Sequence, residues 1–272
     1  MLRFRALASG SSGNAYLLRT DKVSLLFDAG LRWSTLRRFL LAEGIAPDGV
    51  SGVLISHEHR DHCGCVRDIA EQHGTTVWAN PGVLRAAGLA SLNSARVMET
   101  GTTTIFGDVA VTTFPVEHDA VDPVGFLIHV AGKSIAIATD LGRPSGPVAR
   151  AVAEADLVVL ESNHDAEMLH QGRYPYHLRR RVAGPTGHLS NAQAASILAE
   201  NIRPRRGVEV WLAHLSKENN RPFLAIQTTR TDLKRAGKSE VRVDVALRDR
   251  PSLVWNGSTR PMQLSLFPGE AP

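Results

Sequence analysis

Six residues, His57-Glu-His-Arg-Asp-His62, set four metal-binding side chains directly behind the apolar run Val53-Leu-Ile-Ser56. This pattern constrains the fold more than any other in the chain, since a strand that delivers ligands at its end needs a sheet edge where further ligands arrive. Imidazole nitrogen and carboxylate oxygen suit borderline divalent cations such as zinc or manganese. Alternate side chains of an extended segment share a side. His57 and His59 can therefore grip one ion, while Asp61 and His62, where the chain turns toward a helix, can reach a second. Chance rarely orders these residue types at this spacing on a surface loop.

At 272 residues, 43% hydrophobic and 21% charged, the chain is expected to form one large globular domain. No segment approaches the roughly 20 uninterrupted apolar residues that span a bilayer. Met1-Leu-Arg-Phe-Arg5 runs straight into structured sequence without a leader-like apolar stretch. A cytoplasmic protein without a membrane partner is the expectation. Cys63 and Cys65 are too close for an easy disulfide and read as small, reduced, partly buried side chains, the alternative being thiolate ligands. The net charge of +4 tilts the partners weakly toward polyanions. Its distribution says more: Arg173, Arg179, Arg180, Arg181, Arg203, Arg205 and Arg206 share a stretch with Tyr174, Tyr176 and His177. That mixture can hold phosphates and stack on bases, or form a solvated basic face.

The first half alternates short β-rich runs (Leu2–Ala8, Ala15–Arg19, Val23–Asp28, Val53–Ser56) with helical patterns at Ser34–Glu43, where Ser34 is a plausible N-cap, and Val66–His73. A second β-rich block covers Thr103–Phe106, Val109–Val116, Val124–Val130 and Ser134–Thr139, with Gly107-Asp108 and Gly132-Lys133 as hairpin turns. Then follow a helix at Pro147–Glu154, the strand Leu157–Leu160, a helix at Asn191–Asn201, the strand Val208–Ala213, a helix at Pro222–Ala236 and a last strand, Val241–Leu247. Two β-rich halves, each trailed by helices, imply two facing sheets with helices outside, a four-layered αββα sandwich of the α/β class. A flexible tail is expected from about Gly257, leaving residues 1–256 as the body and 257–272 as the tail.

Two ions need more ligands than one cluster supplies. His118, Asp140 and His214 each follow an apolar strand, where a side chain can lean into a shared edge. Any one of them alone could equally be a structural residue. With this set assembled, the chain resembles the metallo-β-lactamase superfamily, whose fold is the αββα sandwich just inferred. The resemblance implies that His57, His59 and His118 hold one metal, that Asp61, His62 and His214 hold the other, and that Asp140 bridges them. It also implies that Asp28, ending Leu25-Leu-Phe-Asp-Ala-Gly30, orients ligands from behind. The chain departs from many relatives after Asp61-His62, where Cys63-Gly64-Cys65 shifts a glycine.

Further runs narrow the branch: Ser9-Gly-Ser-Ser-Gly-Asn14, Leu160-Glu-Ser-Asn-His-Asp165, Tyr174-Pro-Tyr-His177, Gly187-His-Leu-Ser-Asn191 and Ala213-His-Leu-Ser-Lys-Glu-Asn-Asn220. They resemble the YycJ (WalJ) group of bacterial exonucleases, related to tRNase Z and RNase J. The resemblance implies a dinuclear phosphodiesterase acting on nucleic acid, most simply a 5′-to-3′ DNA exonuclease of repair or replication. Two divalent ions, zinc or manganese, would activate a shared water. Asp61 would steer that water, and His188, held by Glu161, would protonate the leaving oxygen. His188 could also be a capping or packing residue. Ser9, Ser11, Ser12 and Asn14 could turn amides toward a phosphate, although a serine-glycine turn is often only a hairpin. Ser190 and Asn191 open a helix whose exposed amides could hold an anion. Tyr176, Arg179 and Arg181 are nucleic-acid contacts in the same reading.

Gln263-Leu-Ser-Leu-Phe267 resembles the peptide by which bacterial replication and repair proteins bind the sliding clamp. Leu264, Leu266 and Phe267 would bury in a groove while Gln263 fixes register, at roughly 1.5 to 3 kcal/mol per apolar side chain before ordering costs. The pentapeptide could instead pack on its own protein. A clamp partner favours DNA over RNA. The remaining alternatives are an RNA-processing ribonuclease or small phosphodiesterase, and a non-catalytic DNA-associated adaptor.

Overall fold

The structure is a computed structural model and describes residues 1–203 and 207–258. Arg205, Arg206 and the clamp-like residues Gln263, Leu264, Leu266 and Phe267 lie outside the described residues. The first half builds β1 (Arg3–Ala8), β2 (Ala15–Arg19), β3 (Ser24–Phe27), α1 (Trp33–Ala42), β4 (Gly52–Leu54), α2 (Arg60–Cys63), α3 (Val66–His73), β5 (Val77–Ala79), α4 (Pro81–Ala86) and β6 (Ala95–Val97). The second begins with β7 (Thr103–Phe106), β8 (Val109–Pro115), β9 (Val124–Val130) and β10 (Lys133–Ala138). It continues through α5 (Gly146–Glu154), β11 (Leu157–Glu161), α6 (Ala166–Gln171), α7 (Tyr176–Val182), α8 (Asn191–Asn201), β12 (Glu209–Ala213), α9 (Pro222–Arg235), β13 (Arg242–Val245) and β14 (Val254–Trp255).

Two mixed sheets result, ordered β14-β1-β2-β3-β4-β5-β6 and β13-β12-β11-β10-β9-β8-β7. Period-2 alternation sends side chains of each strand into different apolar layers. In the first sheet, Tyr16, Leu18, Leu25, Phe27 and Leu54 point toward the second sheet. Leu17, Leu26 and Val53 point outward onto Leu36 and Leu40 of α1, Val66 and Ile69 of α3, and Val83 of α4. In the second sheet Leu157 and Val159 face inward, whereas Val158 and Leu160 pack against Val148, Ile197 and Leu233 of α5, α8 and α9. These strands read as unbroken apolar runs because both faces are buried. Phe4 stacks on Tyr16 and, across the layer, on Trp211 of β12, with centroids 5.5 Å apart in the latter pair. That contact ties the two sheets together close to the end of β12.

Strand direction positions the functional residues. β3 to β6 run parallel, as do β10 to β13. β1 and β8 are each two antiparallel steps away from a parallel block and so point the same way. The segments leaving β1, β3, β4, β8, β10, β11 and β12 therefore emerge at one edge, the carboxyl edge where open α/β sheets place ligands.

The αββα sandwich inferred from the sequence is the observed fold; several details differ. Helix α1 starts at Trp33 with Arg32 as its N-cap and no side-chain capping bond, so Ser34 sits inside the first turn. The β9–β10 hairpin turns on Ala131-Gly132, with φ of 51° and 70°, instead of Gly132-Lys133. Positive φ at both turn residues fits the primed turn that matches strand twist. Strands β5 and β6, of 3 residues each, are too short to show periodicity. β14 pairs with β1 through Phe4↔Trp255 and Arg5↔Val254, closing an edge that the sequence pattern does not reveal. Among the described residues no helix is long and apolar enough to cross a membrane.

Candidate metal centre

Three site residues follow strands directly and hold left-handed backbone: Asp28 after β3, Asp140 near the end of β10 and His214 after β12, with φ of 60°, 57° and 52°. Such conformations are uncommon outside glycine and gather at functional sites. The sharp turn lets a side chain lean across the edge as its strand ends. His57 lies three residues beyond β4, His59 is extended as the N-cap of α2, and α2 then carries Asp61 and His62. The shifted glycine flagged in the sequence, Gly64, ends α2 with an ordinary helical φ of −55°, and Cys65 caps α3. Close approach dictates Gly30, where a Cβ would stand 1.6 Å from the Asp61 carbonyl oxygen. The Ala29 amide donates to the His62 carbonyl and the Asn14 amide to that of Asp61, stitching three loops together.

All seven residues proposed as ligands meet at this edge. His57, His59 and His118 bring donor atoms within 4.8 Å of one another, as do Asp61, His62 and His214. Asp140 groups with His57 and His62, one from each trio, and also with Glu161, His188 and His214. Four imidazoles are oriented through Nδ1. That of His62 donates to Asp28 Oδ2 at 2.8 Å, that of His118 to the Gly187 carbonyl at 3.1 Å, and that of His214 to Glu161 Oε1 at 2.8 Å. His57 Nδ1 faces the Ser56 hydroxyl at 3.0 Å, and that hydroxyl and the Ser56 amide also donate to Asp28. Each anchor turns Nε2 toward the common pocket, as outer partners do for metal-binding histidines.

Three of the pocket's inner atoms lack partners. His57 Nε2, His214 Nε2 and Asp140 Oδ2 are buried without a hydrogen bond, although Asp140 Oδ2 lies only 2.9 Å from His62 Nε2. Leaving buried polar atoms unpaired costs about 1 to 3 kcal/mol each. A cation among them would satisfy nitrogen and oxygen lone pairs together, so the donor set fits divalent metal. The carboxylates make the pocket strongly electronegative. Burial opposes charge on His214, but Asp140, Asp61 and Glu161 bring it up to about 10. Burial likewise opposes ionisation of Glu161, yet His188 and His214 hold it down at about 2. Burial, reinforced by His62, keeps His57 well below its usual range and neutral, the form that binds metal. Burial also pushes the Cys63 thiol up to about 11 and Cys65 up to about 12. Their sulfurs donate to the Glu58 and Ala29 carbonyls, so neither thiol joins the centre.

Glu161 does more than its sequence position indicates. Its Oε1 accepts from both His188 and His214 at 2.8 Å, and its Oε2 accepts from the Leu141 and Leu189 amides. It is a strand-end carboxylate like Asp140, a signal that could have linked it to His214. Ser9 and Asn14 are buried, unlike the exposed Ser11 and Ser12. The Ser9 hydroxyl accepts from the His214 amide at 2.8 Å, and Asn14 Nδ2 lies 2.9 Å from His62 Nε2. Through these bonds both brace the centre from within.

The amides at the start of α8 are also consumed, which corrects the exposed anion site expected at Ser190 and Asn191. A capping box pairs Ser190 with Gln193, the Asn191 amide donates to the His164 carbonyl, and the buried Asn191 side chain bonds Ser162 and Asn220. In α7, Tyr176 is exposed with Arg180 over its ring at 5.8 Å, and Arg181 pairs with Asp119 at 2.7 Å. Asp119 lies 3.4 Å from His118, so Arg181 stands at the rim. Arg179 turns back to the His170 carbonyl.

If the anchors set ligand geometry, Asp28→Ala should weaken divalent-metal affinity about 10- to 100-fold. Competition against a chromophoric chelator measures this, and an unchanged affinity would contradict the anchoring role.

Comparison with known proteins agrees with the fold. A beta-lactamase superfamily domain matches residues 24–210. The chain is 36% identical over 240 residues to exodeoxyribonuclease WalJ of Streptococcus pneumoniae, covering 86% of this chain and 89% of that one. It is 35% identical over 240 residues to exodeoxyribonuclease YycJ of Bacillus anthracis, covering 87% and 90%. Among solved structures, the metallo-beta-lactamase fold protein YhfI of Bacillus subtilis superposes with a TM-score of 0.71 at 16% identity, over 94% of this chain and 99% of that one. With its ligand edge, its two sheets and these relatives, the chain belongs to the metallo-β-lactamase superfamily, in the group of the WalJ and YycJ proteins.

Proposed function

We propose that this protein is a metal-dependent nuclease that hydrolyses phosphodiester bonds, acting as a 5′-to-3′ DNA exonuclease with two divalent ions, zinc or manganese. The observation that carries the reading is the convergence of seven His and Asp side chains, three of which, His57, Asp140 and His214, turn a buried, unpaired donor atom into the common pocket. The similarity to exodeoxyribonucleases over most of the chain supports nucleic acid as substrate. His57, His59 and His118 would hold one ion, Asp61, His62 and His214 the other, with Asp140 between them. Bound there, such ions supply Lewis acidity, lowering the pKa of water and neutralising charge on a phosphate.

The chain's own groups do the rest. The Asp61 side chain is 24% exposed, against 3% for Asp140, and so can accept a proton from an attacking water and aim it. Its Oδ2 lies 3.6 Å from His214 Nε2. His188 is held at Nδ1 by Glu161, which leaves Nε2 to pass a proton to the leaving oxygen. Glu161 thereby couples proton donor and metal ligand through one oxygen, Oε1. Exposed Tyr176 and rim-lying Arg181 would meet a strand entering from the α7 side. Residues 1–256 would form the hydrolase body. The tail would carry the clamp tether, with Gln263, Leu264, Leu266 and Phe267 as its contacts and tethering raising local concentration on DNA.

Asp61→Ala is expected to lower kcat on an end-labelled strand about 10³-fold or more while the strand still binds. Surviving nuclease activity would overturn the ligand assignment. The same assay on matched DNA and RNA with 5′-phosphate or 5′-hydroxyl ends fixes the substrate: a preference for RNA displaces the DNA reading, and activity confined to small diesters removes both. For the tail, the intact chain should bind a bacterial sliding clamp and the chain lacking residues 262–272 should not. Equal binding, or none by either, removes the tether.

A further inference from the structure

A second concave feature opens beside the metal centre and is lined by none of the seven proposed ligands. It is a cleft of about 310 Å³ whose walls are the segments following β12 and β13 and whose lining includes Ser9, Lys217, Arg221, Arg248, Asp249 and Arg250. Four of these six are cationic and one is acidic. Among the described residues none of the four cations is in an ion pair. Arg248 and Arg221 instead donate to main-chain carbonyls, Arg248 to Leu215 at 3.1 Å and Arg221 to Lys217 and Asn220 at 3.2 and 2.7 Å.

The cleft is joined to the centre by one chain neighbour and one hydrogen bond. Leu215, which anchors Arg248, directly follows the ligand His214, and Ser9, which lines the cleft, accepts the His214 amide. The stem of Arg248 crosses Gly10 so closely that a Cβ there would stand 2.8 Å from its Cγ. Arg248 is thus half-buried and fixed, and burial works against its charge by more than the nearby Asp249 and Glu218 offset, a remaining cost that a phosphate would relieve. Helix α9 begins at the same place, with Arg221 as N-cap, no side-chain cap and no acid in its first turn. Its dipole adds to the positive field.

We propose, on the nuclease reading above, that this cleft holds the sugar–phosphate backbone of the nucleic-acid strand beyond the scissile bond, with Lys217, Arg221, Arg248 and Arg250 meeting consecutive phosphates. The strand then passes from α7, across the metal centre and over Ser11-Ser12, into the cleft. Phosphate contacts of this kind set position and strength of binding without reading bases.

Lys217 and Arg250 are exposed, so neutralising them leaves the core untouched. The double variant Lys217→Gln/Arg250→Gln is expected to raise KM for a ten-nucleotide single strand about tenfold, on DNA and RNA alike. It should also flatten the slope of log KM against log salt by about 1.4, at about 0.7 per lost phosphate contact. Arg37→Gln/Arg38→Gln removes the same charge from the exposed side of α1 and should change neither quantity. If the cleft variant shifts KM and salt slope no further than this control does, while the unaltered protein degrades the strand, the cleft is not a backbone track. If the unaltered protein degrades no strand of either kind, the nuclease reading fails first and takes the cleft proposal with it.

Discussion

Two buried carboxylates organise this protein's chemistry from behind. Asp28 and Glu161, one at the end of a strand in each sheet, accept the Nδ1 protons of His62 and His214 and so aim their Nε2 atoms into one pocket. Without such anchors an imidazole rotates and offers either nitrogen, and ligands drawn from distant strands lose a common focus. The anchors are themselves saturated. Asp28 takes the Ser56 amide and hydroxyl, and Glu161 takes two main-chain amides in addition to two imidazoles. A buried carboxylate is stable only when paired in this way.

The fold bears the cost of this arrangement. Asp28, Asp140 and His214 all sit in left-handed backbone, at a cost of order 1 to 3 kcal/mol each. Inner donor atoms stay unpaired beside them. Three apolar layers offset that cost. Trp211, stacked across the sheets only three residues before His214, keeps β12 from shifting and so fixes where that ligand emerges. Parallel strand direction then does the assembly, since loops leaving seven strands at one edge bring residues from position 9 to position 214 within reach of each other.

Much of this was legible in the sequence, for a physical reason: strands and strand ends have local signatures. The apolar runs before His57, Asp140 and His214 marked both the sheets and the side chains that meet at their common edge. Long-range hydrogen bonding has no such signature. The bond between the Ser9 hydroxyl and the His214 amide spans 205 positions, and a serine-glycine turn gives no sign of it. The bracing bonds that Ser9 and Asn14 make to the centre therefore do not show in the sequence. Ser190 and Asn191 misled similarly, because a helix start looks like an anion site unless the capping box and the Asn220 pairing are known. The cationic cleft was invisible for the same reason: Arg248 and Lys217 come together only through parallel pairing of β12 with β13.

The central claim is that histidines fixed through Nδ1 surround a place for paired cations. Elemental analysis of protein purified without chelator, joined to anomalous diffraction at the metal's absorption edge, tests it most directly. The account predicts close to two divalent ions per chain, one among His57, His59 and His118 and one among Asp61, His62 and His214, with Asp140 touching both. A metal-free protein that still cleaves phosphodiesters, or ions bound away from these side chains, would contradict it.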